Sequence, residues 1–293
     1  MKALKEKAYA KINLYLDVLC KREDGFHDIK TVMHSVSLCD EVTVAISPAR
    51  TSTIKLSVEG NVYIPSDGKN LAYKAASLFL EKLGIFANVN IKLVKKIPVA
   101  AGLAGGSSDA AAVLRAMNRL YKRPLTLAAL CKLGAELGSD VPYCIMGKTA
   151  ICEGRGELIT PISTNIRLHT VIATANEYVS TPAAYSALDR HYSDFDGTVK
   201  TGGEEHYAHL IRGLNCGRLA PEGIFNVFEA SVLPSCPHAT EIKQKMLEFG
   251  AVCAMMSGSG PSVFGIFENK SKAQMAAARL LELGYSSYCS ESC

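Results

Sequence analysis

The segment Pro98-Val-Ala-Ala-Gly102-Leu-Ala-Gly105-Gly106-Ser107-Ser108-Asp109-Ala110 carries the strongest local signal in the sequence. It follows a strand pattern and leads directly into a helical pattern at residues 111–121. Small residues keep the backbone accessible, and a helix N-terminus presents unpaired N–H groups at the positive end of the helix dipole. The segment therefore indicates a phosphate-binding loop. From glycine content alone, a flexible loop capped by serine explains it equally well.

Each small residue of this loop has an expected role. Gly102, Gly105 and Gly106 can adopt a positive φ, which other residues rarely do. Ser107 and Ser108 are expected either to cap the following helix or to contact the ligand.

Two better-known phosphate signatures are absent. Gly147-Lys148-Thr149 resembles the end of a Walker loop, but Pro142 stands where its first glycine belongs. Gly258-Ser-Gly260 resembles the start of a dinucleotide fingerprint, but Val263 stands at the third glycine position.

Length and composition limit the classes of protein that the chain can represent. Its 293 residues allow one large domain or, at about 150 residues each, two domains, and two are favoured. The 32 basic and 28 acidic residues give a net charge of only +4, so nucleic acid is not an expected partner. The sequence contains no run of about 18 apolar residues, so no membrane span is predicted. The ten cysteines are scattered, which favours reduced thiols in a cytoplasmic protein.

Alternating hydrophobic residues predict strands in the N-terminal half. Residues 12–18 alternate as in a strand with one buried face, so Lys11 and Asn13 are expected to project from the opposite face. Asn70 and Thr126 are candidate helix caps, for helices ending at Gly84 and Gly138. Further strands, expected to form an antiparallel meander, are predicted at residues 36–38, 42–46, 54–58 and 89–94.

The pattern changes after about residue 160, which predicts a domain boundary and domains covering residues 1–160 and 161–293. A helix is expected to open at Thr181, with Pro182 as its first residue. Strands alternate with helices in the order of a small split βαβ sandwich. The predicted elements are strands at 168–173, 251–256 and 262–267, helices at 239–249 and 272–283, and a last short strand.

Three segments together resemble the motifs of the GHMP kinases. They are Ala8-Tyr-Ala-Lys11-Ile-Asn13-Leu, the loop beginning at Pro98, and Met255-Met-Ser-Gly258-Ser259-Gly-Pro-Ser-Val-Phe264. Three details are similar to the branch of this family that acts on a cytidyl substrate: Lys11-Ile-Asn13 followed by Leu14 and Leu16, Asp24-Gly25-Phe26-His27, and Gly138-Ser-Asp140-Val-Pro-Tyr143.

The resemblance implies an α+β, two-domain GHMP kinase fold. The N-terminal domain would resemble domain 2 of ribosomal protein S5, and the C-terminal domain would be ferredoxin-like. It also implies phosphorylation, with ATP and Mg²⁺, of the 2-hydroxyl of a cytidine-diphosphate-linked methylerythritol in non-mevalonate isoprenoid synthesis. Such a protein is expected to be a monomer or weak homodimer, and the sequence does not indicate which side chain holds Mg²⁺.

Catalytic and nucleotide-binding roles follow from the resemblance. Asp140 is expected to take the proton from the substrate hydroxyl, and Lys11 to stabilise the developing charge. Without the motifs, Asp140 is an ordinary carboxylate at a helix N-terminus. The residues expected to bind ATP are Pro98, Val99, Ala100, Ala101, Gly102, Leu103, Ala104, Gly105, Gly106, Ser107 and Ser108.

Substrate-binding roles are implied in the same way. Asn13 is expected to hydrogen-bond the substrate and His27 to bind the cytosine edge, with Phe26 and Tyr185 supplying aromatic faces. Phenylalanine at residue 26 departs from the more usual tyrosine, which removes a hydroxyl contact. Backbone N–H groups of Gly258 and Ser259 are expected to face the diphosphate, although a plain hairpin connection explains that loop nearly as well.

Two alternative functions remain open at this stage. A related kinase acting on homoserine or a mevalonate derivative would need the phosphate loop but not the cytosine-binding residues. A nucleotide-binding regulator would keep the loop without turnover, although the presence of both Lys11 and Asp140 disfavours it.

Overall fold

Two long strands, β1 (Lys2–Lys21) and β2 (His27–Pro48), form the centre of a seven-stranded sheet in the computed structural model. The structure describes residues 2–60, 64–175, 177–192 and 201–293. The two strands predicted at 36–38 and 42–46 are parts of β2. The polar residues between them remain in the strand because the buried Asp40 carboxylate accepts hydrogen bonds from the backbone of Lys96 and Ile97.

The other elements are shorter. The remaining strands are β3 (Thr53–Glu59), β4 (Ala87–Val94), β5 (Thr149–Gly154), β6 (Leu158–Pro161), β7 (His169–Thr174), β8 (Phe225–Asn226), β9 (Cys253–Met256), β10 (Val263–Phe267) and β11 (Ser286–Glu291). The helices are α1 (Leu71–Leu83), α2 (Gly105–Leu120), α3 (Leu127–Ala135), α4 (Asp140–Met146), α5 (Thr181–His191), α6 (Gly203–Asn215), α7 (Glu229–Val232), α8 (Pro237–Glu248) and α9 (Lys270–Glu282). Among the described residues, no helix is both long and apolar enough to cross a bilayer.

The chain divides into two compact units whose segments alternate along the sequence. The first unit comprises the described residues of Met1–Ala10, Cys39–Val99 and Ala104–Gly147. The second comprises those of Lys11–Leu38, Ala100–Leu103 and Lys148–Cys293. Strands β1 and β2 and the loop after Pro98 thus contribute residues to both units. The domain boundary near residue 160 stays a prediction.

The first unit packs helices against one face of its strands. β2 pairs with β4 in antiparallel fashion, but β3 pairs with β4 in parallel, so the predicted antiparallel meander is wrong. The reason is the connection: α1 lies between β3 and β4 in the chain and carries it back to the same end of the sheet. Val44, Phe79, Ile91 and Leu114 represent the apolar core that these elements bury.

The caps predicted for two helices of this unit are present. The side chain of Asn70 accepts from the N–H of Ala72 at the start of α1, and Thr126 does so from Ala129 at the start of α3. The predicted end of α3 at Gly138 is wrong because the helix stops at Ala135. The N–H groups of Leu137 and Gly138 both donate hydrogen bonds to the carbonyl of Gly134.

The second unit contains a four-stranded sheet with the order β11-β7-β10-β9. All of its pairings are antiparallel, and its strands and helices follow one another as the split βαβ pattern predicts. Helix α5 begins at Thr181 as predicted, but its N-cap is Ser180, whose hydroxyl accepts from Ala183 N–H. Val171, Met246 and Phe267 lie in the apolar core.

A buried histidine on β2 contacts β5 and the residue that follows β11 in the second unit. His34 Nδ1 lies 2.8 Å from Thr149 Oγ1, and its Nε2 lies 2.9 Å from Ser292 Oγ. Burial lowers the pKa of His34 from 6.5 to about 4. The neutral ring is therefore part of the folded structure at neutral pH.

We expect His34 to make the free energy of unfolding depend on pH. In the unfolded chain the imidazole takes up a proton near pH 6.5, but in the folded chain only near pH 4, so acid favours the unfolded state. At 1.36 kcal/mol per pKa unit, stability should fall by about 2 kcal/mol between about pH 7 and pH 5. Denaturant unfolding of the wild type and His34→Gln measures this contribution.

The exposed His209 supplies the matched control. His209→Gln should still lose stability between about pH 7 and pH 5, as the wild type does. His34→Gln should not show this loss. An equal pH dependence in the wild type and His34→Gln would contradict the assignment.

Candidate active site

The carbonyl oxygen of Gly102 is the point where the three motifs meet in the second unit. Lys11 Nζ donates a hydrogen bond to it at 2.7 Å, and Ser257 Oγ donates another at 3.0 Å. A Cβ on Gly102 would lie 2.0 Å from the carbonyl oxygen of Ser257. Gly102 also has φ +74, in the left-handed region that favours glycine. Residue 102 must therefore be glycine for the motifs to approach each other.

Lys11 and Asn13 lie side by side on β1, as their spacing predicts, but this face of the strand is buried. Lys11 is 4% exposed and Asn13 is 2% exposed, so the expectation of a strand with one solvent-facing side is wrong. The polar side chains satisfy one another instead: Lys11 Nζ donates to Asn13 Oδ1 at 2.6 Å, and Asn13 Nδ2 donates to Thr31 Oγ1 at 2.8 Å. A buried ammonium group is stable only with such acceptors.

The residues of the phosphate loop that have a positive φ are only partly the glycines for which it was predicted. Ala100, Gly102 and Ala104 have φ of +52, +74 and +57, whereas Gly105 and Gly106 lie in α2 and are not left-handed. The small size of Gly105 serves packing, because a Cβ there would lie 3.2 Å from Ile97 Cγ2.

Helix α2 begins at Gly105, six residues before the start of its sequence pattern. Its N-cap is Ala104, and no side chain caps the helix within the described structure. Ser107 and Ser108 lie inside the helix, so their predicted capping role is wrong. Ser108 Oγ donates instead to the carbonyl of Tyr9. The N–H groups of the first turn of α2 therefore suit an anionic ligand.

A buried ionic cluster lies under the start of α2 in the first unit, and sequence reasoning did not identify it. Lys95 Nζ contacts the carboxylates of Asp40 and Asp109, and all three side chains are at most 3% exposed. Burial raises the pKa of Asp109, whereas Lys95 opposes this effect. A Cβ on Gly105 would lie 3.6 Å from Lys95 Nζ, so the start of α2 lies directly beside this ammonium group.

Asp140 is the first residue of α4, in the first unit. The next three residues, Val141, Pro142 and Tyr143, are buried and anchor the short helix. Packing against α3 is close, because a Cβ on Gly134 would lie 2.8 Å from Ile145 Cδ1. The carboxylate is thus attached to a fixed helix start rather than to a loop.

One stripe of α5 contacts both the third motif and His27 in the second unit. Thr181, Tyr185 and Asp189 are four residues apart and therefore share a helix face. Thr181 Oγ1 lies 3.1 Å from Ser259 Oγ. The ring of Tyr185 stacks on His27 with centroids 4.7 Å apart, and Asp189 Oδ1 lies 2.7 Å from His27 Nε2. Sequence reasoning missed Asp189, which its spacing from Tyr185 could have indicated.

The carboxylate of Asp189 determines whether His27 Nε2 donates or accepts the hydrogen bond between them. Burial raises the pKa of Asp189, but its hydrogen bonds to Lys21 and His27 outweigh burial and lower the pKa overall. Because an ionised carboxylate only accepts hydrogen bonds, His27 Nε2 must donate. Ring stacking and this hydrogen bond together fix the imidazole plane.

Phe26 is exposed and contacts Arg155. Its side chain is 50% exposed, and the guanidinium of Arg155 lies 3.6 Å from its ring centroid. Of the three residues expected to bind cytosine, the structure thus joins His27 and Tyr185 and leaves Phe26 as a separate, accessible aromatic face.

The third motif is a hairpin connection between β9 and β10, in which Met256 pairs with Val263. Asn226, on β8, holds one side of this loop: its Nδ2 donates to the carbonyls of Met256 and Gly258, both at 2.8 Å. A Cβ on Gly258 would lie 3.1 Å from Lys11 Nζ, so the loop lies directly beside the buried lysine. Sequence reasoning did not identify Asn226, since a lone asparagine carries no distinguishing pattern.

Comparison with known proteins identifies the family. The model of the GHMP kinases N terminal domain matches residues 70–148, and that of the GHMP kinases C terminal domain matches residues 211–286. The chain is 43% identical over 274 residues to the 4-diphosphocytidyl-2-C-methyl-D-erythritol kinase of Geobacillus thermodenitrificans. The alignment covers 92% of this chain and 90% of that relative. The chain belongs to this kinase family within the GHMP kinases.

Solved structures agree with this membership. A crystal structure of 4-(cytidine 5'-diphospho)-2C-methyl-D-erythritol kinase is 31% identical and has a TM-score of 0.79, covering 99% of this chain and 100% of that one. Homoserine kinase from Cytophaga hutchinsonii also has a TM-score of 0.79, at 20% identity, covering 100% of this chain and 95% of the other. At that identity the second likeness shows the fold alone. The predicted α+β GHMP kinase fold is confirmed.

We expect Gly102→Ala to destabilise this kinase and abolish its activity, because the added Cβ would collide with the carbonyl of Ser257. Gly217→Ala is the matched control: Gly217 has φ +69, and nothing lies within 4 Å of its added Cβ. The control should lose only about 1–2 kcal/mol from left-handed strain. Thermal unfolding and ADP release measure both effects, and equal losses in the two variants would contradict the close approach at Gly102.

Proposed function

We propose that this protein transfers the γ-phosphoryl group of ATP to the 2-hydroxyl of 4-diphosphocytidyl-2-C-methyl-D-erythritol, giving the 2-phosphate and ADP. The observation that carries the proposal is the buried Lys11 ammonium on the Gly102 carbonyl, where the three kinase motifs meet. Phosphoryl transfer depends mainly on alignment and charge stabilisation, and a rigidly held cation supplies both.

The phosphate loop and the start of α2 are proposed to bind the triphosphate of ATP. N–H groups of the first helical turn, at the positive end of the helix dipole, suit the phosphate oxygens. The left-handed residues of the loop turn its backbone outward without large side chains in the way. The residues proposed to contact ATP are those of the segment from Pro98 to Ser108.

Mg²⁺ is proposed to enter with the phosphates of ATP. Within the described ranges, no three His, Cys, Asp or Glu side chains are grouped so that they could hold a metal ion. This fits a cation held largely by phosphate oxygens and water, which Mg²⁺ commonly retains. The ion would neutralise charge on the transferring group.

Lys11 and Asp140 are proposed to act on the acceptor alcohol. The carboxylate of Asp140 takes the hydroxyl proton as the oxygen attacks phosphorus, and the bond from phosphorus to the bridging oxygen of ADP breaks. The ammonium group of Lys11 stabilises the developing negative charge. Its hydrogen bonds to Asn13 Oδ1 at 2.6 Å and to the Gly102 carbonyl at 2.7 Å hold it in place before the reaction, so little reorganisation is needed.

The stacked pair of His27 and Tyr185 supports a cytidyl substrate over homoserine or mevalonate. An imidazole fixed by a carboxylate and an aromatic ring is suited to hydrogen-bond the edge of a base, and Phe26 offers a face for stacking. Asn13, Gly258 and Ser259 are proposed to contact the rest of the substrate, with backbone N–H groups facing its diphosphate.

ADP release with purified protein tests the proposal. We expect release with ATP and the cytidyl substrate, but not with homoserine or mevalonate as acceptor. Release with those acceptors would favour the related kinases, and binding of ATP without release would favour the regulator.

Asp140→Asn should lower turnover about 10²- to 10⁴-fold in the same assay. Its thermal unfolding should match the wild type, because the substitution preserves shape. Full activity of this variant would contradict the role of Asp140.

A further inference from the structure

Thr31 lies on β2 and contacts Asn13. It is fully buried, and its hydroxyl contacts two groups: the carbonyl oxygen of Tyr15 at 2.5 Å and Nδ2 of Asn13 at 2.8 Å. A hydroxyl has one proton, and a carbonyl can only accept, so Thr31 donates to Tyr15. The hydroxyl oxygen must therefore accept from the amide of Asn13.

This arrangement determines the orientation of the Asn13 side chain. With its NH₂ group on Thr31, Asn13 turns Oδ1 toward the ammonium of Lys11, 2.6 Å away. The reversed amide would place donor against donor at Lys11 and acceptor against acceptor at Thr31. One hydroxyl thus selects the Asn13 atom that accepts from Lys11, whose ammonium group also donates to the Gly102 carbonyl.

We propose that Thr31 is a positioning residue for phosphoryl transfer, acting through Asn13 on Lys11. This inference rests on the proposed function, because it takes Lys11 to act on the acceptor alcohol. Thr31 itself touches neither substrate nor ATP in this proposal. Its contribution is the hydrogen bond that a residue of the same shape without a hydroxyl cannot make.

Thr170 provides a matched comparison in the same unit. It is also fully buried on a strand, but its Oγ1 has no hydrogen-bond partner within the described structure. Thr170→Val and Thr31→Val therefore replace a hydroxyl by a methyl group in similar surroundings, and only the second removes a hydrogen-bonded link to Lys11.

Steady-state kinetics tests the proposal. Thr31→Val should lower kcat about 10- to 100-fold, the effect of misplacing a reacting group by up to about 1 Å, with little change in KM for ATP. Thr31→Ser should restore most of kcat, and Thr170→Val should match the wild type. In a Lys11→Met background, Thr31→Val should cause no further loss, because the two residues act as a unit.

A second measurement needs no substrate. The side-chain amide signal of Asn13, identified by its loss in Asn13→Asp, should exchange slowly with water in the wild type and in Thr31→Ser. It should shift and exchange faster in Thr31→Val.

The proposal would be overturned by an unchanged amide signal in Thr31→Val, by an unchanged kcat in that variant, or by an equal loss in the Lys11→Met background. Failure of Thr31→Ser to restore kcat while it restores the amide signal would also do so. A wild-type protein that releases no ADP would overturn the proposed function and the role of Thr31 in transfer with it. The amide signal would still show whether Thr31 orients Asn13, so the two failures are distinguishable.

Discussion

A buried ammonium group needs acceptors that the fold itself supplies, and for Lys11 these include the Gly102 carbonyl and the Asn13 amide. The Gly102 carbonyl also accepts from Ser257, so one oxygen atom joins segments about 90 and 155 residues apart in the sequence. This constraint explains why residue 102 must be glycine and why β1 carries polar side chains on a buried face.

The surrounding elements of the second unit serve this junction. Asn226 holds the third motif through two carbonyls, and α5 contacts that motif through Thr181. Farther along the same helix face, Tyr185 and Asp189 fix the ring of His27. The same network of hydrogen bonds therefore holds the third motif, which contacts the Gly102 carbonyl, and orients the proposed base-binding residues.

Much of the fold was predictable from the sequence wherever it depends on interactions between residues close together in the chain. The caps at Asn70 and Thr126 were recognisable because a cap acts within three residues of itself. The parallel pairing of β3 with β4 was not, since it depends on where α1 returns the chain. The three motifs indicated the site, but Thr31 and Asp189 lie outside those motifs, and each acts on a side chain from another part of the sequence.

A crystal structure with a non-hydrolysable ATP analogue and the cytidyl substrate tests the central claim most directly. The distances to measure are those from Lys11 Nζ to the Gly102 carbonyl, to Asn13 Oδ1 and to the acceptor hydroxyl. We expect all three to be about 3 Å, with the first two hydrogen bonds retained. A lysine that has left the Gly102 carbonyl, or one remote from the acceptor hydroxyl, would contradict this account.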